Sequence, residues 1–364
     1  MKRTLGVALC MILMVGCGGS DSSWWDSLPN ARLKVMTYNI YYGADLLRAL
    51  PAMIEEDPEA IVAAVTEIVA IRDMTDFHTR AIAIANSIEE HRPHVVGLQE
   101  ASIWRSQFPS DQFTASPTPA THVDLDLAQI LVDELALRGL EYEAVVEVPG
   151  FEFEMPRLRE DNQLEDIRIT DREVILVRRD LAATPIQVVD VFGGVYETNL
   201  PLPNGGIIPA GWAGVDLRVW GQRIRVISAH PDANSEEIRY AQTMELAYGV
   251  AAADMPVVFM GDMNADATAD PPLPSCELMD ECGFADAWVL AGPDEAGYTF
   301  GFSEMLDDPD EEPYERLDQI RVNDRVEVLE VERVGHRQED RVGGLWPSDH
   351  IGLVATVEVP RPAR

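Results

Sequence analysis

The stretch ProValValPheMetGlyAspMetAsn at 256–264 decides the reading of this chain. Pro256 to Met260 is a short apolar run, which predicts a buried strand. Asp262 and Asn264 follow, two residues apart. Alternate side chains of a strand share a face, so both can point into one site. The aspartate can hold a metal ion or a water. The asparagine can donate to a phosphate oxygen without adding charge. A Gly-Asp turn after a strand is common, so the stretch gains its meaning from its companions.

Four companions occur in order: ThrTyrAsn at 37–39, LeuGlnGlu at 98–100, SerAlaHis at 228–230 and SerAspHis at 348–350. ArgLeuAspGlnIle at 316–320 sits between the last two. Each alone reads as a strand end, a surface pair or an Asx-type turn. Together they resemble the endonuclease/exonuclease/phosphatase superfamily, whose members include DNase I-like nucleases, inositol-phosphate phosphatases and sphingomyelinases. The resemblance spans roughly Leu33 to Val359 as a thread of short motifs. It implies an α/β (α+β) fold, a four-layer αββα sandwich of two mainly antiparallel sheets flanked by helices.

The resemblance also implies a chemistry. Hydrolysing a phosphodiester needs charge neutralisation, a deprotonated water and in-line placement. By its context Glu100 matches the family's metal ligand, Asn39 supports that ligand and the phosphate, and Asp349 completes the metal site. The implied ion is Mg²⁺, with Mn²⁺ or Ca²⁺ as substitutes. Asp262 would orient or deprotonate the attacking water, and Asn264 would hold a phosphate oxygen. His230 matches the histidine that contacts the scissile phosphate, although SerAlaHisPro departs from the commoner ThrHis. Asp318 would accept a hydrogen bond from His350, which stabilises the phosphate or acts as base. The acidic partner of His230 is Asp171 or Glu173, in ThrAspArgGluVal at 170–174, with Asp171 preferred. Arg172 is a candidate phosphate contact. The motifs are nearly silent on substrate. Nucleic acid leads, a phospholipid or sphingolipid head group follows, and a non-catalytic binding lipoprotein is the remote rival. No obligate protein partner is evident.

Composition bounds these readings. The formal net charge is −35, and Lys2 and Lys34 are the only lysines. Such acidity gives a self-repelling, soluble surface and argues against strong non-specific nucleic-acid affinity, which needs many Lys/Arg phosphate contacts. It does not exclude a nuclease, because bound divalent cations can dominate a site locally.

The N-terminus reads as a targeting segment. Lys2 and Arg3 precede a short apolar core, Leu5 to Val15, too short to span a bilayer as a mature helix. MetValGlyCys at 14–17 looks like a lipobox, so residues 1–16 are expected to be a lipoprotein signal peptide. Cys17 is then the lipidated first residue, 17–31 carries the tether, and 32–360 is the catalytic domain. An ordinary secretory signal is the alternative. The expected location is the bacterial cell envelope, anchored by lipid, with the outer membrane or outer surface permitted by Gly18. Cys276 and Cys282 are equally open to a bridge across a turn or to two free thiols.

Along the domain, strands are expected at Leu33–Tyr41, His94–Leu98, Glu141–Val148, Glu173–Arg178 and Ile351–Val359. A hairpin is expected over Ala213–Val219 and Arg223–Ser228. Helices are expected at Pro58–Arg72, Phe77–His91, Asp124–Arg138 and Asn234–Ala252. About 45–76 reads as a helical insertion beside the site. Ser106–Thr121, the acidic stretch after Val148 and 199–211 read as loops.

Lipidation makes a direct prediction. Mass spectrometry of the mature N-terminus should show an acylated Cys17, and Cys17→Ser should release soluble protein. An unmodified N-terminus further along the chain would mean simple secretion instead.

Overall fold

The computed structural model describes residues 30–181, 186–203 and 205–360. The expected signal peptide, Cys17 and nearly all of the tether lie outside the described residues. The strands are β1 (Ala31–Asn39), β2 (Val95–Gln99), β3 (Ile103–Gln107), β4 (His122–Asp126), β5 (Tyr142–Leu158), β6 (Leu164–Arg178), β7 (Ile186–Val195) and β8 (Leu200–Pro201). They continue with β9 (Ile207–Ile208), β10 (Gly211–Val219), β11 (Gln222–Ala229), β12 (Val257–Asp262), β13 (Ala285–Asp286), β14 (Asp318–Val322), β15 (Glu327–Val334) and β16 (Gly352–Val359). The helices are α1 (Leu50–Glu55), α2 (Pro58–Met74), α3 (Phe77–His91), α4 (Leu127–Leu137), α5 (Glu236–Tyr248), α6 (Pro274–Glu281) and α7 (Ala287–Ala291).

Two large sheets carry the fold. One has eight strands in the order β15-β16-β1-β2-β6-β3-β4, with β5 also on β6; the other has six, β13-β14-β12-β11-β10-β7. Only β1–β2 and β11–β12 pair in parallel. The remaining ladders are antiparallel, so the expected αββα sandwich is the observed one. Its central strands β2, β12 and β14 are buried on both faces because both faces are covered. In β1, Val35 enters the layer between the sheets, beside Val226, Val258 and Ile320. Its neighbour Met36 faces outward, onto Ile84 and Ile88 of α3 and Leu131 of α4. Across the molecule, Leu246 of α5 and Met279 of α6 cover Ile227 and Phe259.

The acidic stretch after Val148, expected as a loop, is instead the far half of a long hairpin. β5 and β6 remain paired out to Leu158↔Leu164. The acids are not a solvated run. Glu152 pairs with Arg168 at 2.7 Å, and Glu165 pairs with Arg157 at 2.6 Å and Arg159 at 3.0 Å. Cross-strand charge complementarity supports this ladder, and no local composition signal reveals it. The base of this hairpin packs on α2, with Ile68 and Val69 against Ile167 and Ile169. Asp57 caps α2, accepting from Glu59 N and Ala60 N, and Pro58 takes its first turn. Within 199–211, also expected as a loop, β8 and β9 form a small ribbon. Cys276 and Cys282 are free thiols, one inside α6 and one at its C-cap.

Gly261 shows how tightly the strand end is built. Its φ is +149°, and a Cβ there would lie 1.9 Å from the carbonyl oxygen of Ala229 on the neighbouring strand. Gly261→Ala must therefore part β11 from β12 just where His230 and Asp262 emerge. It should destabilise the fold at the upper end of the roughly 1–3 kcal/mol usual for overpacking, read from urea unfolding, and should reduce activity in the folded fraction.

Candidate active site

The chain directions explain why six distant motifs meet. β1 and β2 run parallel, as do β11 and β12, so Asn39, Glu100, His230 and Asp262 all leave carboxyl ends at one rim of the sandwich. β14 and β16 run the other way beside them, so their beginnings arrive at the same rim. Asp318 is thus the register partner of Asp262, and His350 precedes β16.

Asn39 is fully buried and joins the two sheets. Its Nδ2 donates to Glu100 Oε1 at 2.8 Å and to Asp262 Oδ2 at 3.1 Å. Its amide oxygen accepts from Tyr41 N at 3.0 Å. Its amide N–H groups, not its oxygen, face the carboxylates, so Asn39, expected among the metal residues as a support for Glu100, positions that side chain. The second oxygen of Glu100 accepts from Tyr42 N at 2.9 Å. Burial, then Asp349 nearby, pushes the Glu100 carboxyl up to about 8. Glu100 and Asn264 both adopt left-handed backbone, with φ of 58° and 48°. Such non-glycine strain costs on the order of 1–3 kcal/mol and clusters at functional sites.

Two histidines flank Asp262. His350 Nε2 and His230 Nε2 each stand 3.6 Å from Asp262 Oδ2. Behind each is a buried carboxylate: His350 Nδ1 lies 2.8 Å from Asp318 Oδ2, and His230 Nδ1 lies 3.0 Å from Glu173 Oε1. Burial alone would discharge both rings. The Glu173 partner overcomes it and lifts His230 to about 10, while Asp318 and Asp262 lift His350 well above the usual imidazole range. In return, although burial opposes it, His350 and His230 hold Asp262 below the usual carboxylate range. The site therefore sets a carboxylate between two imidazoles, with each group favouring the charged form of its neighbours. Asn264 adds its backbone N–H to Asp262 Oδ1 at 2.9 Å, and its Nδ2 reaches the Pro231 carbonyl at 3.0 Å.

Asp171, preferred from sequence as the partner of His230, is not that partner. Asp171 and Glu173 share a face of β6, but Glu173 lies directly behind the imidazole. Period-2 spacing could not separate them. Arg172 points to the opposite face. It donates to the Ala101 carbonyl at 2.8 Å and pairs with Glu147 and Asp126, away from any phosphate. Ser348 Oγ donates to the Asn39 carbonyl at 2.7 Å and accepts from His350 N at 3.1 Å, fixing the turn that carries Asp349.

One positioning residue escaped the sequence reading. Arg80 of α3 is 1% exposed, and its guanidinium donates to the carbonyls of Thr75, Ile40, Tyr41 and Pro347. It welds the loop after Asn39 to the loop before Ser348. Nothing but its place on the apolar face of α3, beside Ala81 and Ile84, could have flagged it.

The rim opens into a cleft of about 690 Å³. Glu100, Asp171, His230, Asp262, Asn264, Asp349 and His350 all line it. Leu46, Leu47, Phe151, Ile208, Phe300 and Phe302 give it an apolar wall. Phe300 packs on the His350 ring at 4.8 Å and restricts its movement.

Two packed sheets flanked by helices, with paired histidines and carboxylates at one rim, place the protein in the DNase I-like class. Within that class the chain belongs to the Endonuclease/Exonuclease/phosphatase family, whose model matches residues 36–350. Members of the family act on phosphate esters. An endonuclease/exonuclease/phosphatase family protein from Bacteroides thetaiotaomicron superposes over 92% of this chain and 97% of its own, with a TM-score of 0.55 and 14% identity. One from Bacteroides vulgatus covers 90% of this chain and 99% of its own, at 0.55 and 18%. A mannosyl-6-phosphatase from Bacteroides thetaiotaomicron covers 89% and 99%, at 0.52 and 16%. At these identities the likeness is one of fold. No curated protein sequence matches this one at a significant level.

The His350–Asp318 pair predicts non-additive losses. His350→Ala removes a donor or base, a role worth about 10²–10⁴ in rate. Asp318→Asn leaves an imidazole free to take the wrong tautomer and should cost less. The double variant should match His350→Ala in single-turnover assays on one diester. Fully multiplicative losses would show that Asp318 acts independently of the histidine.

Proposed function

We propose that this protein is a divalent-metal-dependent phosphodiesterase that hydrolyses its substrate by in-line attack of water, exported and held at the membrane through Cys17. The observation that carries the reading is Asp262 set between two imidazoles, each backed by a buried carboxylate. Asp262 is placed to take a proton from water. The Nε2–H groups of His230 and His350 are placed to donate to the non-bridging oxygens of a phosphate, and Asn264 borders the same space. The positive charge that receives the phosphate is therefore histidine charge, in a protein that is otherwise strongly acidic.

A metal ion fits the remaining donors. Glu100 and Asp349 line the cleft together, and among the described residues neither forms an ion pair with an arginine or lysine. Hard carboxylate oxygens of this kind suit Mg²⁺, which keeps several waters and binds through one or two carboxylates plus substrate phosphate. Bound there, Mg²⁺ would neutralise charge building on the phosphoryl oxygens. Asn39 and Tyr42 N hold Glu100 in place for that task.

The lining of the cleft narrows the substrate. Nine acidic side chains and a single basic one besides histidine, Arg239, border it. A long polynucleotide needs several Lys/Arg phosphate contacts, and this cleft does not offer them. The geometry best suits a substrate that brings one diester group and an apolar or uncharged flank, such as a lipid head group or a short nucleotide diester. An activity screen over DNA, RNA, inositol phosphates and sphingomyelin, with Mg²⁺ and with chelator, tests both the class and the preference. Turnover unaffected by chelation would refute metal dependence.

Glu100→Ala should abolish metal-dependent turnover and weaken Mg²⁺ binding with little loss of fold. Like charges crowded without metal repel, so removing one should leave the metal-free protein at least as stable. Calorimetric titration with unchanged Mg²⁺ affinity would sink the assignment of Glu100.

A further inference from the structure

Behind the histidine that faces the phosphate lies a second group of ligating atoms. One carboxylate oxygen each from Asp171 and Glu173 and one ring nitrogen of His230 lie within 4.8 Å of one another. Asp171 is 3% exposed and Glu173 1%. The pair is under-satisfied: Asp171 Oδ1 and Glu173 Oε2 are buried without any hydrogen-bond partner. Among the described residues, no arginine or lysine forms an ion pair with either; Arg172, between them in the sequence, is turned to the other face of β6 and pairs with Asp126 and Glu147. Two buried carboxylates face one imidazole, so one of them has no cationic partner, and burial disfavours its ionised form.

Space is kept beside these oxygens. A Cβ on Gly150 would stand 2.8 Å from Asp171 Oδ2, so the glycine leaves open the flank that any larger residue would fill. The spacing of the donors is also informative. Two cis ligands on an octahedral ion at ~2.1 Å lie roughly 3.0 Å apart, and His230 Nδ1 and Glu173 Oε1 are 3.0 Å apart. That separation is one that two cis ligands of a six-coordinate ion can keep, with the third donor atom within 4.8 Å of both.

We propose that Asp171, Glu173 and His230 Nδ1 form a binding site for a second divalent cation, separate from the one assigned to Glu100 and Asp349. One nitrogen with two carboxylates suits a first-row transition ion better than Mg²⁺ or Ca²⁺, which take all-oxygen sets, and Mn²⁺ serves as the paramagnetic probe of that class. The ion takes the place of the proton between His230 and Glu173. His230 then keeps its remaining proton on Nε2, aimed at Asp262 and the cleft, so the cation fixes the tautomer that the phosphate requires.

Mn²⁺ binding to the metal-free full chain tests this without any substrate, so the outcome is independent of the hydrolysis reading. Free Mn²⁺ is counted by its electron paramagnetic resonance signal. Asp171→Asn and Glu173→Gln should each bind one Mn²⁺ fewer than the wild type, whereas Glu100→Gln should keep that ion. If both variants fold, by circular dichroism, and bind as many ions as the wild type, the proposal is wrong. A fold-independent measurement backs this up. Pulsed resonance of His350→Ala, which lacks the other cleft imidazole, should still show nitrogen coupling to bound Mn²⁺; its absence would equally overturn the site.

Discussion

Everything at the rim depends on one buried amide. Asn39 ends a strand of one sheet and gives its two N–H bonds to carboxylates from both sheets, Glu100 and Asp262. Charged acceptors make such bonds the strong kind, and burial makes their loss expensive. The bridge sets the separation between the acid that would bind metal and the acid that would handle water. A second polar chain repeats the device one layer deeper. Thr37 Oγ1 donates to Gln99 Oε1 at 3.1 Å, and Gln99 Nε2 donates to Ser228 Oγ at 2.9 Å, again crossing from sheet to sheet. The polar residues inside ThrTyrAsn, LeuGlnGlu and SerAlaHis thus serve less as chemistry than as the pins that register the two sheets.

The electrostatics follow from that registration. A chain with a formal charge of −35 must still receive a phosphate. In the proposed function it does so through His230 and His350, which buried carboxylates behind them, Glu173 and Asp318, raise above the usual imidazole range against the effect of burial. The remaining acids at the rim can be neutralised by cations. An acidic protein therefore acquires a phosphate-accepting centre without a basic surface, and its apolar wall of Leu46, Leu47, Phe151 and Phe302 is left to select what lies beside the phosphate.

Much of this was legible in the sequence. The apolar run into GlyAspMetAsn announced a strand with two polar residues at its end, and the order of the companions pointed to a two-sheet sandwich. Helices with strong local signals, such as the one capped by Asp57 and started by Pro58, lie where the capping pattern put them. The expected helix at Asn234–Ala252 is shorter, Glu236–Tyr248, because Ser235 caps its start and the chain leaves the helix at Gly249. The acidic hairpin was misread, because its stability comes from cross-strand ion pairs 6 to 16 residues apart, and composition alone does not show that register.

What the sequence determined by itself was the inventory: which residues end which strands, and therefore which chemical groups can reach one rim. Strand periodicity and turn chemistry are local, so they survive translation from sequence. What only the tertiary structure decided was pairing among near neighbours in space. Asp171 and Glu173 have the same period, face and charge, and only the placement of β11 against β6 puts Glu173 behind His230 and leaves Asp171 beside it with an unpartnered oxygen. Arg80 likewise became a positioning residue only when two loops, one following Asn39 and one preceding Ser348, closed on its guanidinium. A hydrogen bond is specified to tenths of an ångström, and that precision arises from packing, which no single segment of the chain contains.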